Sequence, residues 1–463
     1  MPWLAMFLSA TFTYASLGAL AQRDLSLPSG GNVRASVILL VATALGASWK
    51  PVWALDILIG LYVPIYLFAA LGWLGNAILP YLMLAFAMTL VVKRAVRNIT
   101  EIFPVHQPSG ALPGTLLIAL LAVLSFAQWF RSTDMRDSSN RLCDITALCL
   151  LLWELPKWDE GSLRETAQAF VLGVTGSSLV LLNAELFKVD RLGKLLHFNP
   201  DFLGYVAGAA LLIALSRMVF RASRWIPSLL FPILATALYF SGCRAAFYAA
   251  LATIPLVLWH ERRLLGLFTV GSFGAIGAYV IFQGINDPTG LAFRMTAPFM
   301  ERFADASSRR NQIWSLLWEQ RERYWLTGIG LDNGPQLTGG AGLFANGFAL
   351  ATHNVFFTFF VELGIAGLAL FLAWQCWILW FGIKYRSRMA LLLPIAVYFS
   401  VEGFFSGFNN ISIIAFMLAV GFRLETRAHI TNKIRPQIAY SRGRTRTSLA
   451  ARVAEFRSEL SQS

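Results

Sequence analysis

The sequence predicts an all-α polytopic membrane protein, and three observations carry that reading. Hydrophobic residues make up 57% of the 463-residue chain and charged residues only 14%, against about 45–50% and about 25% in soluble domains. The mean hydropathy is +0.59. Apolar blocks close to the ~20 residues that cross a bilayer as a helix recur from one end of the chain to the other.

Those blocks lie at 3–20, 36–49, 53–71, 74–92, 114–130, 142–155, 166–187, 202–219, 226–240, 245–259, 264–282, 354–381, 389–405 and 408–422. Two of them, 36–49 and 142–155, are short, so the sequence predicts about 12–14 transmembrane helices. The first block is followed by many more and reads as a membrane helix, not as a cleaved leader. Orientation follows from the Lys/Arg bias of short loops. Clusters fall at Lys93/Arg94/Arg97, Arg217/Arg221/Arg224, Arg262/Arg263 and Lys384/Arg386/Arg388. With fourteen spans and a cytoplasmic N-terminus, all of them lie inside.

The same scheme divides the chain into four parts. An N-terminal transmembrane bundle of about 11 helices occupies 1–282, a large outer loop 283–353, further transmembrane helices 354–422, and a basic cytoplasmic tail 423–463. It also puts 21–35, 131–141, 188–201 and the turn Ser241–Arg244 on the outer side. The tail holds nine Lys/Arg against three Glu, within a net charge of +13. Beside a bilayer such a tail reflects anionic membrane lipid and the topology rule, and no nucleic acid is expected. Its residues 448–461 place Leu449, Val453, Phe456 and Leu460 on one helical face, as in a helix resting on the inner leaflet. The four cysteines form no CxxC and suggest neither a disulfide framework nor a metal site.

Inside the outer loop, 307–325 (SSRRNQIWSLLWEQRERYW) predicts a helix. Ser307 or Ser308 can cap it, Trp314 and Trp318 share a face, and Arg310 sits one turn before Trp314. The glycines that follow, Gly328, Gly330, Gly334, Gly339, Gly340 and Gly342, permit unusual dihedrals and close approach of a ligand, or equally serve as a flexible connector. The polar interval ends at His353 and Asn354. There an apolar helix opens, Val355–Phe381, that carries one carboxylate, Glu362. An ionisable group in a membrane helix is a functional-site candidate. The plain alternatives are an interfacial histidine and a structural hydrogen bond from Glu362 to a neighbouring helix.

Arginine is the recurring outer-face residue. Arg191 lies in DRLGKLLHFNPDFLG, Arg244 in SGCRAAFYAAL, and Arg309 and Arg310 open the loop helix. Arg191 has Asp190 beside it, and Arg309 reads as a solvated residue. Arg244 lies between long apolar stretches, where an unpaired charge costs at least ~2.5–3.5 kcal/mol. No carboxylate lies within a turn of it in sequence, so its counter-charge comes from elsewhere in the fold or from an anionic ligand. A lipid-linked diphosphate suits several guanidiniums, which meet phosphate oxygens bidentately and stabilise a departing diphosphate. A nearby imidazole can take the proton of an attacking hydroxyl. Those pieces fit a metal-free glycosyl transfer. No DxD, HExxH, P-loop, GxSxG elbow or strand-borne GxGxxG occurs, and no cofactor is expected.

In this order the motifs resemble the O-antigen ligase superfamily, which includes O-antigen ligases, Wzy-type polymerases and related exopolysaccharide polymerases. They are RLGKLLHFNPDFLG, the SGCR turn, R-x-x-x-W (Arg310…Trp314), TGIGLDN with Asp332, HN opening a span, and ELGIAG with Glu362. The turn reads SGCR where the family commonly has Ser directly before Arg. The resemblance implies a GT-C-like glycosyltransferase in the bacterial inner membrane, with one large periplasmic loop. It implies transfer of a glycan from undecaprenyl diphosphate to an acceptor glycan or lipid A–core at the periplasmic face. Carried over by position, it implies His353 as base and Arg244, Arg310 and Arg191 as diphosphate ligands, with Asn354, Glu362 and Asp332 supporting. A secondary transporter or flippase of lipid-linked glycans is the alternative from another class, and an envelope scaffold a third.

Overall fold

The computed structural model describes residues 2–21, 32–71, 73–74, 78–97, 112–185, 200–215, 219–220, 225–243, scattered positions between 246 and 283, 310–339 and 354–384. Every regular element among them is helical. In order they are α1 (Pro2–Ala21), α2 (Val33–Trp49), α3 (Pro51–Gly60), α4 (Tyr62–Ala70), α5 (Ile78–Arg97), α6 (Leu112–Trp129) and α7 (Met135–Glu154). Then come α8 (Glu160–Glu185), α9 (Pro200–Leu215), α10 (Trp225–Ser241), α11 (Arg310–Glu319), α12 (Gly334–Gly339) and α13 (Val355–Lys384). Ile78–Val96, Gly161–Ala184 and Val355–Trp377 are each long and apolar enough to cross a membrane, and the bent pair α3–α4 passes the same test taken together, as a broken span or a re-entrant loop. Thus the chain is an all-α membrane protein across the described residues. The expected spans at 389–405 and 408–422, most of 245–282, and the tail helix lie outside those residues.

The break between α3 and α4 follows from the sequence. Pro64 has no N–H, and its ring clashes with the carbonyl four residues back, that of Gly60. The two helices accordingly meet at 56°. The Gly60 carbonyl turns instead toward α8, so close to Gly173 that a Cβ there would lie 2.0 Å from it. Gly176 faces the Met6 carbonyl of α1 in the same way, at 2.4 Å. Small residues therefore let three backbones meet, as membrane helices require where packing replaces the hydrophobic driving force. Ser177 bonds Ser9 and Thr13 across this seam at 2.7 and 2.8 Å.

Around the seam, α1 and α3 pack on α8, α5 packs on α2 and α7, α9 on α10, and α6 on both α7 and α13. Tyr62, Tyr66 and Phe202 stack between α4 and α9, with Phe202 5.6 and 4.2 Å from the two tyrosine rings. At one end of α5 and α7, buried Glu154 takes Arg94 Nε at 3.1 Å and Lys157 Nζ at 2.8 Å. The outward faces are apolar. On α6, Leu116, Leu120, Val123, Phe126 and Phe130 recur at helical spacing and are all exposed, as a lipid-facing stripe must be.

The loop helix ends sooner than the sequence predicts. Among the described residues it runs over Arg310–Glu319 and gives way at Gln320 to a 3-10 turn, Arg321–Arg323, while 307–309 lie outside those residues. Tertiary contacts end it. Tyr324 turns under the helix to donate to the Leu317 carbonyl and to meet Phe360 edge-on at 5.3 Å.

Candidate functional site

The apolar helix downstream of the loop is not one straight rod. At Gly364 the backbone leaves helical geometry (φ 71°, ψ −165°), which splits α13 into 355–363 and 365–384. Positive φ is open to glycine without a Cβ penalty. The break frees backbone groups that a continuous helix would pair internally, and the segment 325–330 takes them up. Ile329 N donates to Val361 O at 3.0 Å, Gly330 N to Glu362 O at 3.2 Å, and Ile365 N to Trp325 O at 2.8 Å. The fit is tight on both sides. A Cβ on Gly328 would sit 2.2 Å from Glu362 O, and one on Gly364 2.5 Å from Leu326 O.

A second set of bonds ties the same segment to the end of α6. Gln128 Nε2 donates to Thr327 O at 2.8 Å, Arg131 Nη1 to the same carbonyl at 3.3 Å, and Leu331 N to Gln128 O at 3.3 Å. Buried Asn333 spends both ends of its amide here. Its Nδ2 donates to Arg131 O and Ile329 O (3.1 and 2.7 Å), while its Oδ1 accepts from Thr133 N and Thr133 Oγ1 (3.1 and 3.0 Å). TGIGLDN is thus an ordered docking segment, and the flexible-connector alternative for Gly328 and Gly330 falls away.

The charged centre of this junction is Arg141 on α7. Its Nη2 lies 2.7 Å from Asp332 Oδ1, and its Nη1 bonds Glu362 Oε1. Asp332 reaches that position through a left-handed backbone (φ 60°), a conformation Asp tolerates better than most residues. Glu362 is 2% exposed and Arg141 13%. Burial alone would disfavour the guanidinium's charge, but the Glu362 and Asp332 carboxylates push its pKa up and keep it charged. Glu362 therefore makes a structural bond to a neighbouring helix, the plain alternative named above.

Asn354 caps α13. Its Oδ1 accepts from Phe356 N at 2.9 Å and Phe357 N at 3.3 Å, which satisfies donors the first turn leaves unpaired. The short limb 355–363 then packs on α11. Phe357 stacks on Trp314 at 6.1 Å, and Val361 joins Ile313, Leu317 and Tyr324 in a small separate core. Further upstream, Gly242 (φ 64°) turns the chain after α10, and Cys243 N donates to Ser241 Oγ at 3.2 Å. A Cβ on Gly204 of α9 would meet Cys243 Cβ at 2.3 Å, so the turn leading into Arg244 is wedged against α9.

Of the expected site residues, Asp332 and Glu362 are brought together by Arg141, and Asn354 lies at the head of the limb that carries Glu362. Arg191, Arg244 and His353 lie outside the described residues, and of Arg310 only the backbone, at the start of α11, is described. Sequence reading missed Arg141, Gln128, Arg131 and Asn333 as members of the junction. Asn333 stands inside the quoted motif. Arg131 and Arg141 sit in the polar stretch that runs from the end of α6 into α7 and reads as a solvated turn, and Gln128 is a polar residue near the end of the apolar block 114–130.

Fold and junction define a class: a helical membrane protein whose polar loop is fastened to a broken membrane helix. Residues 229–372, from α10 through the loop to the second limb of α13, match the O-antigen ligase family, Wzy_C. That match, over under a third of the chain, supports membership of the O-antigen ligase/Wzy family, whose members are glycosyltransferase-like enzymes of the ligase or polymerase type. No curated protein matches the sequence. The matched stretch includes TGIGLDN and Gly364 but stops short of Gln128, Arg131 and Arg141, which anchor it from outside.

Proposed function

We propose that the protein transfers a glycan from undecaprenyl diphosphate to an acceptor hydroxyl at the periplasmic face of the bacterial inner membrane, without a metal. The observation that carries this reading is the family match over 229–372, because that one stretch contains Arg244, Arg310, the docked loop and His353. His353 takes the acceptor hydroxyl's proton as the oxygen attacks the anomeric carbon. The bond from that carbon to the diphosphate breaks, its electron pair leaves on the diphosphate, and Arg244 and Arg310, with Arg191, hold the charge that develops. The Arg141 junction gives this chemistry a fixed base. It fastens the short limb 355–363, separated from His353 by the cap residue Asn354, to α6 and α7.

A transporter reading would draw on the broken pair α3–α4, which carries buried Asp56. That break has a local cause in Pro64, and Asp56 Oδ1 is engaged by Thr166 at 2.6 Å. The glycosyltransferase reading is the better supported. Its test is a paired reaction in detergent with EDTA, using donor alone and donor with lipid A–core. Glycan lengthening on the lipid in the first tube identifies a polymerase, and transfer only in the second identifies a ligase. Donor bound but turned over in neither tube would overturn the proposal.

A further inference from the structure

The lipid-facing stripe of α6 ends at Phe126, Trp129 and Phe130, whose rings pack edge and face with centroids 5.1–6.2 Å apart. Directly beyond them the loop is joined at Thr327 by the Gln128 and Arg131 bonds to its carbonyl. The segment 318–326 leading into it shows three large apolar side chains to the outside: Trp318, Trp325 and Leu326, exposed by 55, 51 and 58%. Their exposure is not forced by the helix pattern, since Tyr324 between them is buried at 1%. Leaving two tryptophans and a leucine in water forgoes burial worth about 1.5–3 kcal/mol for a leucine-sized side chain.

Arginines stand among them. Arg321 sits over the Trp318 ring at 5.4 Å and donates through Nη1 to Trp318 O. Arg323 donates through Nη1 to Gln320 Oε1, and Arg131 through Nη1 to Gln128 Oε1 and Thr327 O. In each case the bonds among the described residues use one terminal nitrogen and leave Nε and Nη2 of the fork for another acceptor. Amphipathic aromatic rings beside guanidiniums, continuous with a lipid-facing helix, are the side-chain composition of a membrane interface.

We infer that the 318–326 turn is a membrane foot. Trp318, Trp325 and Leu326 enter the boundary between headgroups and acyl chains at the end of α6, and Arg131, Arg321 and Arg323 bind the phosphates of anionic phospholipid. The foot fastens the polar loop to the bilayer beside the Arg141 junction, so the loop is held by lipid as well as by protein.

The test uses the full-length protein in nanodiscs of mixed phosphatidylglycerol and phosphatidylcholine. A photoreactive benzophenone side chain replaces Trp325 in one variant and Trp318 in a second. A third carries it at Gln336, which is exposed in the same loop and bonded to Thr133 and Asn333. After illumination, intact-mass measurement should find phospholipid adducts at 325 and 318 but not at 336. Phosphatidylglycerol should exceed its share of the bilayer by roughly twofold or more, and Arg321→Gln with Arg323→Gln should remove that excess while adducts persist. Absence of lipid adducts at both tryptophan positions, equal labelling at 336, or an adduct ratio indifferent to the arginines would overturn the inference.

Discussion

Arg141 Nη2 and Asp332 Oδ1 stand 2.7 Å apart, one on a bundle helix and the other in the polar loop, and the same guanidinium holds Glu362 of the broken helix. One side chain thus fixes three chain segments at once. Because Glu362 is almost wholly buried, the arrangement is costly to dismantle from one side.

Arg141→Ala should therefore lower stability by about 3–5 kcal/mol, the usual cost of stripping one partner from a buried ion pair. Adding Glu362→Leu should recover part of that loss, since the orphaned charge goes with it. Thermal unfolding in detergent measures both. An Arg141→Ala midpoint equal to wild type would mean that the pair is not formed.

At Gly364 the backbone itself is the constraint. Gly364→Ala places a Cβ 2.5 Å from Leu326 O at a φ of 71°, and such strain costs of order 1–3 kcal/mol. Hydrogen exchange should show the amides of Ile329, Gly330 and Ile365 losing protection together, because all three bond across the break. Faster exchange at Ile365 alone would contradict a shared junction.

Asn333→Asp keeps the acceptor but removes both donors from the carbonyls of Arg131 and Ile329. Two hydrogen bonds to buried groups are lost at about 1–3 kcal/mol for each unsatisfied partner. Limited proteolysis of the 327–339 segment should quicken markedly. Unchanged cleavage would show that the asparagine does not hold the loop.

Asp159 offers a pH signature at the other end of the bundle. Its carboxylate accepts from Ser162 Oγ and Ser162 N at the start of α8, and these bonds hold its pKa below the ordinary value. A lowered folded-state pKa means its contribution is complete above the unfolded value of about 3.9 and fades as pH falls through the folded one. Asp159→Ala should cost about 1 kcal/mol at neutral pH, and the gap to wild type should close below about pH 4. A gap that persists in acid would assign the effect to packing.

In the proposed site, Arg244→Lys should lose activity despite keeping its charge, because an ammonium cannot make the two-pronged phosphate contact. Initial rates at saturating donor measure it. Full activity in the lysine variant would mean that charge alone suffices.

Much of the helical framework could be read from hydropathy, and the α3–α4 bend from Pro64, because both depend on local sequence. The break in α13 could not. Gly364 lies within ELGIAG, and a glycine in an apolar run is ordinary in membrane helices. What breaks the helix is the loop segment that takes over its carbonyls, a contact between distant parts of the chain. Arg141 was hidden for the same reason. It sits in RSTDMRDSSNR, a stretch that looks solvated, while its partner Glu362 is 221 residues downstream. The motif reading found Asp332 and Glu362, the carboxylates that meet the guanidinium, without seeing what joined them. The helix drawn over 307–325 overran for a related cause: its pattern persists past Glu319, but Tyr324 and Trp325 are recruited by α13.

The most direct test of the account is the release of undecaprenyl diphosphate, followed by mass, from purified wild type and His353→Ala given the same lipid-linked glycan and acceptor. Steady release by the wild type is expected. The rate should be lower by on the order of 10²–10⁴ in a variant that inserts and melts normally, as when a positioned base is removed. Equal release by both proteins would contradict the assignment of His353 as base.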